Sequence, residues 1–224
     1  MNQADASRVL AVVSEEIERA AFGLSSWADV TLRLTEGFPG SACVILSEDL
    51  VTKTLRHSEA ANIEKEHMDT YAQHFAFRNP WVKVWDFLPD GACAVSERDF
   101  PVKLIENTEY YNDFVRRVPN FEASTGISLS TEPCTTFRIP LHYSKEFAER
   151  YDPWAEWTLS RLKGVLRRTA NGIITREDQN NLQIAGAALA NRASDLAIVV
   201  NSEMKIIEAN KAAVSALVRS EVMW

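Results

Sequence analysis

The residues best suited to binding chemistry are aromatic and polar side chains concentrated between positions 71 and 88. This stretch contains seven aromatic or imidazole rings: Tyr71, His74, Phe75, Phe77, Trp81, Trp85 and Phe87. Apolar walls with a few placed polar groups are typical of small-molecule sites. The pattern favours a pocket in which Tyr71, His74 and Asn79 orient an apolar guest. The alternative is that the rings simply pack as core.

Local signals predict the helix that carries the first of these rings. Tyr71, Phe75 and Asn79 are spaced i, i+4 and i+8, which places them on one face of a helix predicted over 60–78. Pro80 ends that helix, because the residue before a proline is pushed out of the α region. Asn79 is also a good cap for a new helix that begins at a proline.

Two further helices are predicted to bring more rings to the same place. A short helix after Pro80 carries Trp81 and Trp85 on one face, and another helix is predicted over 101–118. These helices are consecutive between the second and fourth predicted strands, so we expect them to lie over one face of the sheet. The rings expected to enclose a ligand there are Tyr71, Phe75, Trp81, Trp85, Tyr110, Tyr111 and Phe114.

The sequence offers no recognisable catalytic or metal-binding pattern. The four histidines form no HExxH motif and have no paired acid at metal-ligand spacing, and no Ser or Cys elbow or glycine-rich phosphate loop is present. Cys43, Cys93 and Cys134 are an odd number and widely separated, which favours buried, inert thiols. We therefore expect a protein that is not an enzyme and needs no metal or cofactor.

Composition narrows the class of protein further. A hydrophobic content of 46% and a charged content of 25% are ordinary for a globular protein. No run approaches the ~20 apolar residues of a membrane span, and the first residues lack a signal-peptide pattern, so a cytoplasmic protein without membrane contact is expected. A net charge of −7 argues against a nucleic-acid surface on these residues.

Hydrophobic periodicity along the chain predicts an α/β (α+β) fold. Residues 1–172 are predicted to form two helices, a hairpin, the helix over 60–78 with the short helix after Pro80, and a short strand. The helix over 101–118, two more strands and a helix over 153–169 complete this region. This order resembles a GAF-like sensor domain, with an antiparallel five-stranded sheet flanked by helices. Residues 173–194 are predicted to be a connecting helix that begins after Asn171-Gly172.

The last part of the chain has a different pattern. Residues 195–224 read as a strand, a turn at 201–204, a second strand and a helix capped by Asn210. This hairpin and helix resemble the opening of a PAS domain. Because such a domain needs roughly 100 residues, we expect the PAS-like segment to be incomplete.

Several motifs occur in the order found in the sensor halves of LuxR-type bacterial transcription regulators. The motifs are Tyr71-x-x-x-Phe75-x-x-x-Asn79-Pro80, the segment Thr108–Phe114, the strand Gly126–Ser130, a helix with Leu162, Leu166, Arg167 and Arg168, and the hairpin before Asn210. The resemblance implies a sensor followed by a helix-turn-helix that binds DNA, which this chain lacks. In members that bind acyl-homoserine lactones, a tyrosine matches Tyr71 and an aspartate stands at the position of Asn79. The tryptophan expected near 97–100 is absent.

The resemblance implies a ligand-sensing and dimerising regulatory domain that controls a DNA-binding domain missing from this chain. The expected partners are a small apolar or aromatic ligand and a second copy of the chain, with DNA bound only through the missing domain. The apolar faces of helices 5–22 and 153–169 are the candidate dimer seam, with Trp154, Trp157 and Leu162 as anchors. The alternative is that these faces only cover their own sheet. The alternatives are a sensor or dimerisation domain of a kinase or cyclase, and a structural module without ligand.

Overall fold

The structure is a computed structural model that describes residues 2–52, 54–76, 78–85, 87–131, 135–190, 196, 198–200 and 206–218. The predicted turn at 201–204, Phe77 and Cys134 lie outside the described residues. The chain divides into two compact units, Met1–Asn171 and Gly172–Trp224. Among the described residues, no helix has both the length and the apolar character needed to cross a bilayer.

The strands follow one another in the order that hydrophobic periodicity predicts, whereas several helices differ from the prediction. The helices are α1 (Gln3–Ala21), α2 (Trp27–Gly37), α3 (Lys65–Thr70), α4 (Val82–Trp85), α5 (Ser96–Asp99), α6 (Ala148–Ala190) and α7 (Lys211–Val218). The strands are β1 (Ala42–Asp49), β2 (Thr54–Ala61), β3 (Cys93–Val95), β4 (Ala123–Thr131), β5 (Thr135–Tyr143), β6 (Ile198–Val200) and β7 (Ile206–Ala209). Two π-helical turns, Tyr71–Phe75 and Tyr110–Val115, and two 3₁₀ turns, Val102–Leu104 and Lys145–Phe147, complete the described elements.

The first unit is built on a five-stranded sheet with the order β2-β1-β5-β4-β3, in which every neighbouring pair is antiparallel. The predicted α/β fold with an antiparallel five-stranded sheet flanked by helices is confirmed. Capping boxes begin both N-terminal helices, with Asn2 and Asp5 on α1 and Ser26 and Asp29 on α2.

Side chains on each strand alternate between two faces of this sheet. On one face, which we call the packed face, Phe137 contacts Trp27 of α2 with ring centroids 5.6 Å apart, and Tyr143 contacts Tyr151 of α6 at 5.5 Å. On the other face, which we call the cavity face, β5 presents Arg138, Pro140 and His142. The connections between β2 and β4 cover the cavity face.

Two predicted helices are wrong in their extent. The helix predicted over 60–78 begins only at Lys65, because β2 continues to Ala61. The predicted helix 101–118 is instead a 3₁₀ turn and a separate π-helical turn. The side chain of Thr108 explains the new start, because its Oγ1 accepts a hydrogen bond from the Tyr111 N–H at 3.2 Å, as an N-cap does.

The predictions for the C-terminal helices also need correction. Helix α6 begins before Pro153 and runs unbroken past Asn171-Gly172, where an end was predicted. A glycine inside a helix costs only about 1 kcal/mol, so it weakens the helix without ending it. Leu162, a predicted dimer anchor, is fully buried within its own unit, whereas Trp154 and Trp157 keep some exposed area.

The second unit contains the predicted hairpin and helix. Strands β6 and β7 pair in antiparallel fashion. The Asn210 Oδ1 accepts a hydrogen bond from the Ala213 N–H at 2.9 Å, so the residue predicted to cap α7 does cap it. The names GAF-like and PAS-like, and the boundaries 1–172, 173–194 and 195–224, stay predictions.

Candidate functional site

A cavity of about 70 Å³ lies between the cavity face of the sheet and the connections that cover it. A water needs roughly 10–15 Å³ of such space, so the cavity has room for several waters or a compact organic group. The residues that line it are Val44, Leu46, Met68, Tyr71, Asn79, Trp81, Val82, Val84, Trp85, Ala94, Ser96, Asp99, Tyr110, Phe114, Phe121, Ser124, Gly126, Arg138, Pro140 and His142.

The sheet forms the floor of the cavity with small residues from β3 and β4 and larger ones from β1 and β5. Gly126 pairs with Pro140, and Ser124 pairs with His142. A Cβ added to Gly126 would lie 3.0 Å from the Pro140 Cα and 3.2 Å from the Trp85 ring. Glycine at this position therefore lets Trp85 approach the sheet closely and become one wall of the cavity.

Two π-helical turns form much of the roof. Tyr71 begins one turn and Tyr110 begins the other, and both side chains line the cavity. The rings of Tyr71 and Tyr110 lie 5.4 and 5.6 Å from the ring of Phe114, which joins the two turns. Single π-helical turns occur frequently at functional sites, because the extra residue re-aims side chains.

Asn79 fixes the corner between the first π-helical turn and α4. Its Oδ1 accepts a hydrogen bond from the Trp81 N–H at 2.9 Å, which is the predicted capping role. Its Nδ2 donates to the Tyr71 hydroxyl at 3.2 Å. The Tyr71 hydroxyl still has its own proton to donate. Burial raises the pKa of Tyr71 to about 12, and the hydrogen bond from Asn79 acts in the opposite direction.

Both charged residues that line the cavity already have partners of opposite charge. Arg138 forms a buried ion pair with Glu48, whose pKa is raised by burial, an effect that Arg138 opposes. Asp99 accepts hydrogen bonds from Arg98 and from the Val95 N–H. Burial raises the pKa of Asp99, but these hydrogen bonds outweigh it and hold the pKa below its ordinary value.

Two residues that line the cavity each carry a buried polar atom with no hydrogen-bond partner among the described residues. These atoms are the hydroxyl oxygen of Tyr110 and the Nδ1 of His142. Burial lowers the pKa of His142 to about 3, so the ring is neutral near pH 7. Burial also raises the pKa of Tyr110 well above its ordinary value, and the nearby Tyr71 adds to this effect.

The structure brings six of the nine predicted site residues to the cavity, namely Tyr71, Asn79, Trp81, Trp85, Tyr110 and Phe114. Phe75 and Tyr111 do not line it and pack instead in a hydrophobic cluster that also includes Tyr71, Tyr110 and Phe114. His74 lies outside, because its partly exposed ring pairs with Glu109 at 2.6 Å and contacts Arg78. That these residues bind a ligand stays a prediction.

Sequence reasoning missed the floor of the cavity and part of its rim. The missed polar residues are Ser96, Asp99, Ser124, Arg138 and His142. A signal was present in β4, where the small residues Gly126, Ser128 and Ser130 alternate with the large apolar residues Ile127 and Leu129. A small and polar strand face is typical of a solvent-exposed surface, but here its Ser124 and Gly126 line the cavity, and Ser130 alone is exposed among these four residues.

The described residues contain no group of three or more His, Cys, Asp or Glu side chains placed to hold a metal ion. Cys43 and Cys93 are both buried free thiols. Burial raises the pKa of Cys93 to about 12 and that of Cys43 as well, so neither is a reactive thiolate near pH 7.

Comparisons with known proteins bear on the fold. No protein-family model matches the sequence, and no curated protein matches it. One similar solved structure is the N-acylhomoserine lactone-dependent LuxR-family transcription factor CepR2 of Burkholderia cenocepacia. It is 12% identical, with a TM-score of 0.54 over 76% of this chain and 98% of that chain. The VqsR LBD domain of Pseudomonas aeruginosa is 15% identical, with a TM-score of 0.46 over 70% of this chain and 95% of that chain. We conclude from the similarity to CepR2 that this chain shares its fold.

Proposed function

We propose that this chain is the ligand-sensing and dimerising regulatory domain of a LuxR-type transcription regulator, with a small apolar or aromatic ligand in the cavity. The observation that carries the proposal is a covered aromatic cavity in which buried polar groups are left unpaired. The fold shared with CepR2 and the motif order in the sequence support the family. In this proposal the protein binds its ligand without chemical turnover and works in the cytoplasm.

A network of hydrogen bonds offers a physical route from the cavity to α6. Arg98 donates to Asp99 on the cavity wall at 2.7 Å and to both carboxylate oxygens of Glu156 on α6 at 2.9 and 3.1 Å. A ligand that moves Asp99 therefore pulls on a residue of α6. Exposed ion pairs contribute little stability, so this contact can rearrange at small cost.

Ligand binding is tested by a thermal-shift screen of small aromatic compounds and acyl-homoserine lactones. A compound that stabilises the wild type should bind ~2–10-fold more weakly to Tyr71→Phe, because one hydrogen bond contributes ~0.5–1.5 kcal/mol. Tyr111→Phe is the matched control, because Tyr111 does not line the cavity. If no compound raises the melting temperature of the wild type, the chain is better explained as a structural module.

Dimerisation and DNA binding are separate parts of the proposal. Light scattering at micromolar concentration should give a mass of two chains, and a mass of one chain at every concentration argues against the dimer.

A gel shift with these 224 residues should show no specific DNA binding, because the net charge is −7. Specific binding to a defined site would contradict the assignment of that role to another domain.

A further inference from the structure

Tyr110 and His142 lie on the ring of Trp81, and we call these three residues the Trp81 subsite. The ring centroids of Tyr110 and His142 are 6.0 and 6.2 Å from that of Trp81. Only 2% of Tyr110 and 5% of His142 is exposed. Trp81 cannot satisfy either group, because its indole N–H already donates to the carbonyl of Phe100 at 3.1 Å. The Trp81 subsite thus combines an aromatic surface with two unpaired polar groups.

Unpaired polar groups of this kind need an explanation. A buried hydroxyl or ring nitrogen without a partner costs ~1–3 kcal/mol, and most buried polar groups in proteins are hydrogen-bonded. Phenylalanine in place of Tyr110 would keep the ring contacts with Phe75, Trp81 and Phe114 and avoid that cost. Tyr110 and His142 both line the same cavity, and neighbouring side chains cover their two polar atoms. A guest that seats between Trp81 and these atoms can supply the missing hydrogen bonds.

The charges around the cavity decide what kind of guest fits. The phenol of Tyr110 is neutral, and the neutral imidazole of His142 offers one donor and one acceptor nitrogen. Arg138 is paired with Glu48, and Asp99 is paired with Arg98. A charged group on the guest would find no unpaired charge among these residues, and burying an unpaired ion is costly. An uncharged oxygen has no such penalty.

We propose that the ligand is a compact aromatic molecule whose uncharged oxygen, a hydroxyl or a carbonyl, binds in the Trp81 subsite. This inference rests on the proposed function, because it specifies the ligand of the same cavity. The oxygen accepts a hydrogen bond from the Tyr110 hydroxyl, and His142 provides the second polar contact. The aromatic body packs against Trp81, Trp85 and Phe114.

Isothermal titration with three molecules of similar shape tests the inference. The compounds are 4-methylphenol, p-xylene, in which a methyl group replaces the hydroxyl, and 4-methylbenzoate, which carries a charge. Wild-type protein should bind 4-methylphenol ~10-fold or more tightly than either of the others, because the apolar compound leaves the polar groups unpaired. Tyr110→Phe should reduce the preference over p-xylene to ~3-fold or less, while Tyr111→Phe should retain it.

The melting temperature separates this role from a structural one. Tyr110→Phe should leave it unchanged or raise it, since the variant removes a hydroxyl that has no partner among the described residues. If Tyr110→Phe does not fold, His142→Phe is the second variant, and it should also lose preference for 4-methylphenol.

Several outcomes would overturn the inference. Equal binding of 4-methylphenol and p-xylene to wild type rejects the polar subsite but leaves a ligand-binding cavity. The same holds if Tyr110→Phe melts at a lower temperature and keeps its preference, because a bound water would then explain the unpaired hydroxyl. Binding of none of the three compounds, nor of any compound in the wider screen, rejects both the inference and the proposed function.

Discussion

The two faces of the five-stranded sheet use their tyrosines in different ways. On the packed face, the Tyr143 hydroxyl bonds to Thr125 at 2.6 Å and to Asp152, and the Tyr151 hydroxyl donates to the carbonyl of Pro39 at 2.8 Å. On the cavity side, the Tyr110 hydroxyl has no partner among the described residues. On the packed face, the hydroxyls of Tyr143 and Tyr151 therefore hold α6 to the rest of the unit, whereas the hydroxyl of Tyr110 forms no such bond among the described residues.

Unpaired hydroxyls are not confined to the cavity. Ser47 and Thr158 also lack a partner among the described residues, yet neither lines the cavity. Tyr110 and His142 differ from these two residues because the residues that carry the unpaired groups also line the cavity. That combination separates a site able to take a guest from an imperfection in a packed core.

The largest expected effect comes from large-to-small substitutions on the two sides of the sheet. Phe137→Ala on the packed face should lower the free energy of unfolding by ~3–5 kcal/mol, because it opens a void in a close-packed layer. Trp85→Ala should cost clearly less, because Trp85 borders space that is already empty. Urea unfolding of both variants measures the difference. Equal losses would mean that the rings fill the cavity region as ordinary core.

The second largest loss of stability is expected when the buried ion pair on the cavity face is broken. Arg138→Met should destabilise the protein by ~3–5 kcal/mol at pH 7, because it leaves the Glu48 carboxylate buried without its partner. Burial raises the pKa of Glu48, so the loss should shrink as the pH falls and the carboxyl becomes protonated. The double variant Glu48→Leu with Arg138→Met should recover most of the stability. A loss independent of pH would contradict this explanation.

Alanine substitutions at two glycines distinguish the effect of a close backbone contact on stability from the effect of helix propensity. Gly126→Ala should destabilise by ~1–3 kcal/mol and weaken ligand binding, because the new Cβ meets the Pro140 backbone at 3.0 Å and Trp85 at 3.2 Å. Gly164→Ala on α6 is the control. Its Cβ would lie 3.7 Å from Arg168, so a gain of ~0.5–1 kcal/mol is expected. Thermal melts that rank the two variants the other way would refute the role of Gly126.

His142 should make stability depend on pH. Its folded pKa lies below the unfolded value, so its contribution is present above about pH 6.5 and is lost as the pH falls towards 3. Between pH 7 and 5 the wild type should lose about 2 kcal/mol from this residue, and His142→Phe should lack that part of the slope. Glu48 and Asp99 also titrate near this face, so the difference between the two proteins is the quantity to measure. Parallel profiles would show that His142 is not buried as a neutral ring.

Much of the cavity roof can be predicted from local sequence signals such as helix caps and prolines. Pro80 and the capping residue Asn79 place Trp81 and Trp85 after a corner, and the structure keeps that corner. The prediction misplaces His74 because it groups this residue with Tyr71 and Asn79 as a polar group near the rings, although His74 lies off their helical face. Its ring is turned outward and pairs with Glu109.

The floor could not be predicted in the same way, because it depends on pairings between distant parts of the chain. Arg138 meets Glu48 only because β5 pairs with β1. Alternation in β5 separates His142 from Tyr143 but does not say which face other segments will cover. The cavity is also a result of how side chains pack, and no residue type by itself predicts a cavity.

The paired substitutions Tyr110→Phe and Tyr143→Phe test the difference between the two faces most directly. Chemical unfolding should show almost no change, or a slight gain, for Tyr110→Phe, because its hydroxyl has no partner to lose among the described residues. Tyr143→Phe should cost ~1–3 kcal/mol, because it removes hydrogen bonds to Thr125 and Asp152. If Tyr110→Phe costs as much as Tyr143→Phe, the Tyr110 hydroxyl holds the fold together, and the claim that the cavity side keeps it for a ligand is wrong.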